Sequence, residues 1–174
     1  MNICIIGAGT YGSYIINSLQ KKYPNIDITL FDVGDSSIKS ENEIGYLSTL
    51  KQSIYTGLTD GRWFGLGGTS TKWGGQLLTF TQNDFSNPSS FLSDIIGLNE
   101  KYKNSILKKF RIENDFKEKE LADGLFTKTG VWLSFFSRDL FKHFKISKRK
   151  TINIIANARV TRLVTEKGKK VTKV

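Results

Sequence analysis

Three features of this chain have residue types and spacings that could do chemistry. The first is Gly7-Ala8-Gly9-Thr10-Tyr11-Gly12, a GxGxxG run. In such a run the first glycine permits a tight turn and the second leaves room for a pyrophosphate to approach the backbone. The third lets a helix pack closely on a strand. A helix opening here points unpaired N–H groups and partial positive charge at the phosphates. Gly7, Gly9, Thr10, Tyr11 and Gly12 are therefore expected to hold a pyrophosphate. The second feature is Asp32, twenty residues after Gly12, where an acid accepts hydrogen bonds from ribose hydroxyls. An acid at that place repels a 2′-phosphate and so disfavours NADP. The third is Gly61 to Gly75, six glycines in fifteen residues, a density that no ordinary core element tolerates.

The elements needed to position these residues are legible around them. Asn2 to Ile6 is a short apolar run ended by Gly7, which predicts a strand. Between Thr10 and Lys22 the spacing of Tyr11, Ile15, Leu19 and Tyr23 predicts a helix with that apolar stripe as its buried face, closed by Pro24 and Asn25. Ile26 to Phe31 alternates apolar and polar residues before Asp32, a second strand. Together they form a βαβ unit over residues 2–35, whose right-handed crossover makes the strands parallel neighbours. The expected fold class is α/β, a Rossmann-like FAD/NAD(P)-binding domain with a parallel sheet. Gly34 to Asp60 is polar and without a strong period. Tyr102, Ile106 and Phe110 mark an amphipathic helix over Asn99 to Arg111, and Asn114 to Thr129 is poorly patterned. Thr151 to Ile155 and Ala158 to Val164 read as strands. A turn at Glu166 to Lys169 follows, and Val171 to Val174 begins a further strand, the start of a β-meander.

Composition narrows the classes. At 174 residues, 39% hydrophobic and 24% charged, the chain can bury a core and does not resemble a disordered one. Its single cysteine, Cys4, sits in an apolar run and reads as a small buried hydrophobe; a lone cysteine forms no internal disulfide, so a reducing compartment is expected. The N-terminus lacks the pattern of a signal peptide and no apolar stretch approaches a membrane span, so a cytoplasmic protein without a membrane span is expected. The net charge is +10, and up to Asp60 there are only four lysines against six acids. Basic residues cluster in Lys101 to Lys119 and Lys142 to Lys150, outside the glycine segments, and the helical period of the first cluster makes it a solvated face rather than a nucleic-acid surface. No metal site is expected.

The second glycine cluster separates FAD from NAD, and it does so by resemblance. Arg62-Trp63-Phe64-Gly65-Leu66-Gly67-Gly68-Thr69-Ser70-Thr71-Lys72-Trp73-Gly74-Gly75 resembles the second flavin-binding segment of the glucose–methanol–choline oxidoreductases. Asp84-Phe85 and Tyr102 to Ile112 loosely match the stretch leading into that family's helical region. Ala158 to Val164 resembles its strand in which a valine backbone meets the adenine, here Val160. The resemblance implies FAD as cofactor, with Gly67, Gly68, Thr69, Ser70, Trp73, Gly74 and Gly75 along the flavin and Val160 at the adenine. It implies one FAD-binding portion over residues 1–174, with its first motif in 2–35, its second in 61–75, adenine-contact strands in 151–174 and a helical insertion in 84–145. It also implies oxidation of an alcohol, sugar-like in character, by hydride transfer to the flavin. Ser70-Thr71-Lys72-Trp73 is similar to the Ser-Thr-His-Trp of pyranose oxidases, where the histidine carries a covalent flavin; lysine at position 72 argues against that bond.

No residue is assigned as catalytic. The family's late catalytic histidine, with a histidine or asparagine partner, has no counterpart. The sole histidine, His143, lies in a basic segment and reads as solvated. The expectation is therefore an N-terminal portion of a longer enzyme, inactive alone, with the alcohol or sugar as a partner of the whole. Two other classes share part of the pattern. An NAD-linked dehydrogenase domain shares the first motif and leaves Gly65 to Gly75 unexplained; a non-catalytic basic module accounts for the charge and for neither glycine cluster.

Overall fold

The computed structural model describes residues 2–174 apart from 47, 50, 52–56, 86, 88, 114–115, 167 and 169. The chain is mixed α/β and divides into two units, residues 1–73 with 138–174, and residues 74–137.

In the first unit β1 (Asn2–Ile6) leads through the glycine turn into α1 (Thr10–Lys22) and on to β2 (Asp27–Phe31). β1 and β2 pair in parallel from Asn2 opposite Asp27 to Ile6 opposite Phe31. The third strand comes from far along the chain. It is β7 (Ile152–Ile155), and it pairs in parallel with β2 from Ile28 opposite Ile152. The strand order is β1-β2-β7, with β2 in the middle. Alternation along β2 buries Ile28 and Leu30, which with Ile5 and Ile16 form the centre of the core. Burying four such side chains, at about 2 kcal/mol each, is what drives the helix and sheet together.

The rotation of α1 departs from the expected one. Its buried residues are Ser13, Ile16, Asn17 and Gln20, while Tyr11, Ile15 and Tyr23 are exposed, Tyr11 to 84%. The reason is steric. A Cβ on Gly12 would lie 1.9 Å from the Gly7 carbonyl oxygen, so the Gly12/Ser13 side is the one that can approach β1. Ser13 Oγ donates to the nearby Ala8 carbonyl at 2.9 Å, whereas Asn17 and Gln20 are satisfied from the other end of the chain. Arg149 donates to Gln20 Oε1 at 2.6 Å, to Asn17 Oδ1 at 2.8 Å and to the Phe144 carbonyl at 2.8 Å. Desolvation there pushes the Arg149 pKa below its usual value.

Two further expectations are corrected in this unit. Cys4 is exposed rather than buried, because β1 turns Ile5 toward α1 and hence Cys4 and Ile6 to the opposite face. Desolvation pushes the thiol up, away from the reactive thiolate. The expected strand from Ala158 to Val164 does not form as such, because residues 158–163 lie outside any strand. Asn157 adopts a left-handed φ of 53°, and the Asn157 and Ala158 N–H groups donate to the carbonyls of Gly34 and Asp32 at 3.1 and 2.8 Å. Those bonds fold the segment back over the end of β2. Strand structure resumes only in β8 (Val164–Glu166), which pairs antiparallel with β9 (Lys170–Lys173).

The second unit holds α2 (Ser90–Phe110), which begins nine residues before the expected start because Ser89 caps it, its Oγ accepting the Leu92 N–H. Ile96 and Leu107 are its buried residues. β4 (Lys117–Ala122) and β5 (Leu125–Thr129) form an antiparallel hairpin where the sequence has no clear pattern, and both strands lie largely in solvent. β3 (Gln76–Leu77) pairs with β6 (Val131–Trp132). Among the described residues no helix is long and apolar enough to cross a membrane.

Candidate functional site

Where β1 ends, Gly7 takes a φ of 96°, a left-handed conformation that strongly favours glycine, and the chain turns into α1 with Gly9 at its N-cap. The first interstrand-like bond of this turn runs from the Gly7 N–H to the Phe31 carbonyl at 2.8 Å, and the Ser13 N–H closes the first helical turn on Gly9 at 3.0 Å. The N–H groups of Thr10, Tyr11 and Gly12 precede that bond and have no carbonyl of the helix to donate to. A Cβ on Gly7 or Gly9 would meet nothing within 4 Å. The space beside Gly9 is open.

The second glycine segment lies against this turn. The Gly67 N–H donates to the Ala8 carbonyl at 3.1 Å, and a Cβ on Gly68 would come within 3.0 Å of the Gly9 Cα. On its other side Gly65 sits against the loop after β2. A Cβ on Gly34 would fall 2.9 Å from the Gly65 Cα, and one on Gly65 would fall 2.6 Å from the Asp35 carbonyl oxygen. The two backbones touch where side chains are missing, so the glycine density of the second segment has a packing cause in the first.

Asp32 braces the arrangement. Its carboxylate accepts the Ala8 N–H at 2.7 Å and the Gly34 N–H at 2.9 Å, one on each oxygen, and it is buried to 6% exposure. It therefore ties the turn after β1 to the loop after β2. Each oxygen keeps a second lone pair.

A cavity of roughly 550 Å³ opens between these pieces. Its walls include Gly7, Gly9, Thr10, Tyr11, Asp32, Gly68, Thr69 and Val160. These eight are brought together from positions up to 153 residues apart in the chain. Gly12, Gly67, Ser70 and Trp73 belong to the same unit without lining the cavity. Gly12 abuts the Gly7 carbonyl, and Gly67 faces Thr71 and Asp139. The Ser70 hydroxyl donates to the Gly67 carbonyl at 2.6 Å and accepts the Leu140 N–H at 3.2 Å; Trp73 Nε1 donates to the Arg138 carbonyl at 2.9 Å. Gly74 and Gly75 fall in the second unit. Lys72 is exposed, its ammonium 5.0 Å from the centre of the Trp63 ring. His143 is half-buried, in edge contact with Phe144.

The walls also contain residues that sequence reasoning passed over. Phe31, Tyr46, Trp63 and Phe64 line the cavity. Trp63 and Phe64 lie inside the second glycine segment, so their aromatic character beside glycines was a usable signal. Tyr46 had only the preceding Gly45 to mark it. Among the described residues no group of three or more His, Cys, Asp or Glu could hold a metal ion.

The fold and the site together define a mixed α/β chain with a glycine-lined cavity at the ends of parallel strands. No protein-family model matches the chain, and no curated protein matches it.

Proposed function

We propose that this chain is the FAD-holding part of an oxidoreductase of the glucose–methanol–choline type, built on a Rossmann-like domain and acting on an alcohol of sugar-like character. The observation that carries the reading is that one cavity is walled by both glycine segments, with a backbone position at Gly9 whose missing Cβ leaves open space. A dinucleotide needs both features: room for its pyrophosphate at a helix N-terminus, and a second surface along the remainder of the molecule. The residues fit such a group. Thr10 and Tyr11 present helix N–H donors to phosphate, Asp32 offers the remaining lone pairs of its carboxylate to a ribose, Gly68 brings the second segment's backbone up to Gly9, and Thr69 adds a hydroxyl to the same wall. Bound FAD supplies a hydride acceptor for the oxidised carbon. In this chain every assigned role is in binding and orienting that group, and none is in moving the substrate proton.

Titration of the purified chain with FAD and with NAD by calorimetry tests the reading. Tighter binding of FAD is expected; tighter binding of NAD would overturn it in favour of a nicotinamide-linked dehydrogenase domain.

A further inference from the structure

Tyr46 occupies a stretch with no sequence pattern, yet it lines the cavity and its place there is built by many bonds. Gly45, at a left-handed φ of 72°, reverses the backbone, and the N–H groups of Gly45 and Tyr46 donate to the carbonyls of Asn42 and Glu41 at 3.1 Å each. The buried carboxylate of Glu41 accepts the Ser48 N–H at 2.8 Å and pairs with Arg62. A two-residue bridge between Lys39 and Phe64 joins the same loop to the second glycine segment. Four side chains then stack in series. The Arg62 guanidinium sits 5.4 Å from the Phe64 ring centre, Phe64 meets Tyr46 at 5.1 Å and 63°, and Arg159 lies 4.3 Å from the centre of the Tyr46 ring.

This series belongs to one end of the cavity. Arg159 lies between Ala158 and Val160, both of which line the wall, and Ala158 is bonded to Asp32. These residues follow β7, which flanks β2 on the side away from β1. The phosphate turn follows β1. A dinucleotide with its pyrophosphate at Gly9 and a ribose at Asp32 would carry its base past Asp32, toward Val160 and Tyr46.

We infer that Tyr46 is the aromatic wall against which the adenine of the bound dinucleotide rests, that Arg159 positions that ring, and that the site thereby selects an adenine dinucleotide over a flavin mononucleotide. The inference rests on the FAD reading above. An aromatic ring in contact with a base changes binding by about 5- to 150-fold when it is removed, and a cation over the ring by about two- to five-fold at an exposed position such as Arg159.

The test titrates FAD, ADP and FMN into the wild-type chain and into Tyr46→Leu, Tyr46→Trp and Arg159→Gln, with a thermal melt of each. Tyr46→Leu should weaken FAD and ADP at least five-fold and leave FMN unchanged, Tyr46→Trp should restore both, and Arg159→Gln should weaken both by the smaller factor. Wild-type affinity for ADP in Tyr46→Leu, or an equal loss of FMN, would overturn the inference. If the leucine variant melts without cooperativity, the decision passes to the wild-type ADP complex. There, nuclear Overhauser contacts from adenine H2 or H8 to the Tyr46 ring support the assignment and their absence defeats it. A wild-type chain that binds neither FAD nor ADP removes the proposed function together with this inference; one that binds FAD indifferently to Tyr46 removes the inference alone.

Discussion

Replacing Gly9 and Gly12 separately with alanine separates room for a ligand from room for the fold. Gly12 is a point where α1 abuts the turn after β1. An added Cβ lies 1.9 Å from the Gly7 carbonyl oxygen and 3.0 Å from its carbon. Carbon and oxygen that are not bonded separate to more than 3 Å, so the helix must withdraw by over 1 Å, loosening Ile16 from the sheet. Overpacking of this kind costs about 1–3 kcal/mol and occasionally more, and backbone as the obstacle puts Gly12→Ala at the upper end. At about 2–4 °C per kcal/mol for a chain of this size, the melting temperature should fall by roughly 6–12 °C. Gly9→Ala meets nothing within 4 Å, and its φ of −71° suits any L-residue. The poorer N-cap of alanine costs a few tenths to about 1 kcal/mol, and the lower entropy of the unfolded chain returns about 0.4–1 kcal/mol. Its melting temperature should stay within about 3 °C of wild type. Its affinity for FAD should fall at least tenfold, about 1.4 kcal/mol, because the new methyl group occupies the space the pyrophosphate needs. Scanning fluorimetry and calorimetry on the same preparations read both quantities. A Gly9→Ala chain that binds FAD like wild type refutes the phosphate assignment, and a Gly12→Ala chain that melts like wild type refutes the close contact.

Two further outcomes follow from the network around the site. Asp32→Ala removes two charge-assisted acceptors and leaves the Ala8 and Gly34 N–H groups unpaired, so it should destabilise the chain by about 2–4 kcal/mol with no ligand present; a denaturant midpoint equal to wild type would show that the carboxylate does not brace the two loops. Glu41 is held below the usual carboxylate pKa by its hydrogen bond to Ser48 and then by Arg62, so its contribution to stability is present above the ordinary glutamate value of about 4.3 and is lost as pH falls through the depressed one. Glu41→Gln should therefore lie below wild type in melting temperature near neutrality and converge with it on acidification, and a gap that stays constant down to pH 3 would contradict this.

Much of the first unit was legible from local signals. A short apolar run ending in glycine, a helical stretch closed by Pro24 and an alternating run ending at Asp32 determine β1, α1 and β2 because each depends on neighbours within a few residues. The GxGxxG spacing likewise specifies a turn that only small residues can make. Local periodicity misled where tertiary contact overrode it. Tyr11, Ile15 and Tyr23 repeat every four residues, yet the closeness of Gly12 to the Gly7 carbonyl sets the helix rotation and turns that stripe outward. Ala158 to Val164 is rich in β-branched residues, but the N–H groups of Asn157 and Ala158 are taken by the carbonyls of Gly34 and Asp32, so no ladder begins there. The placement of β7 beside β2, the contact of Gly68 with Gly9, and the Arg62, Phe64, Tyr46 and Arg159 series were beyond the reach of sequence patterns. Each joins segments at least sixteen residues apart, and such pairing is decided by which surfaces can be buried together once the whole unit has closed, a property that no short window of the chain contains.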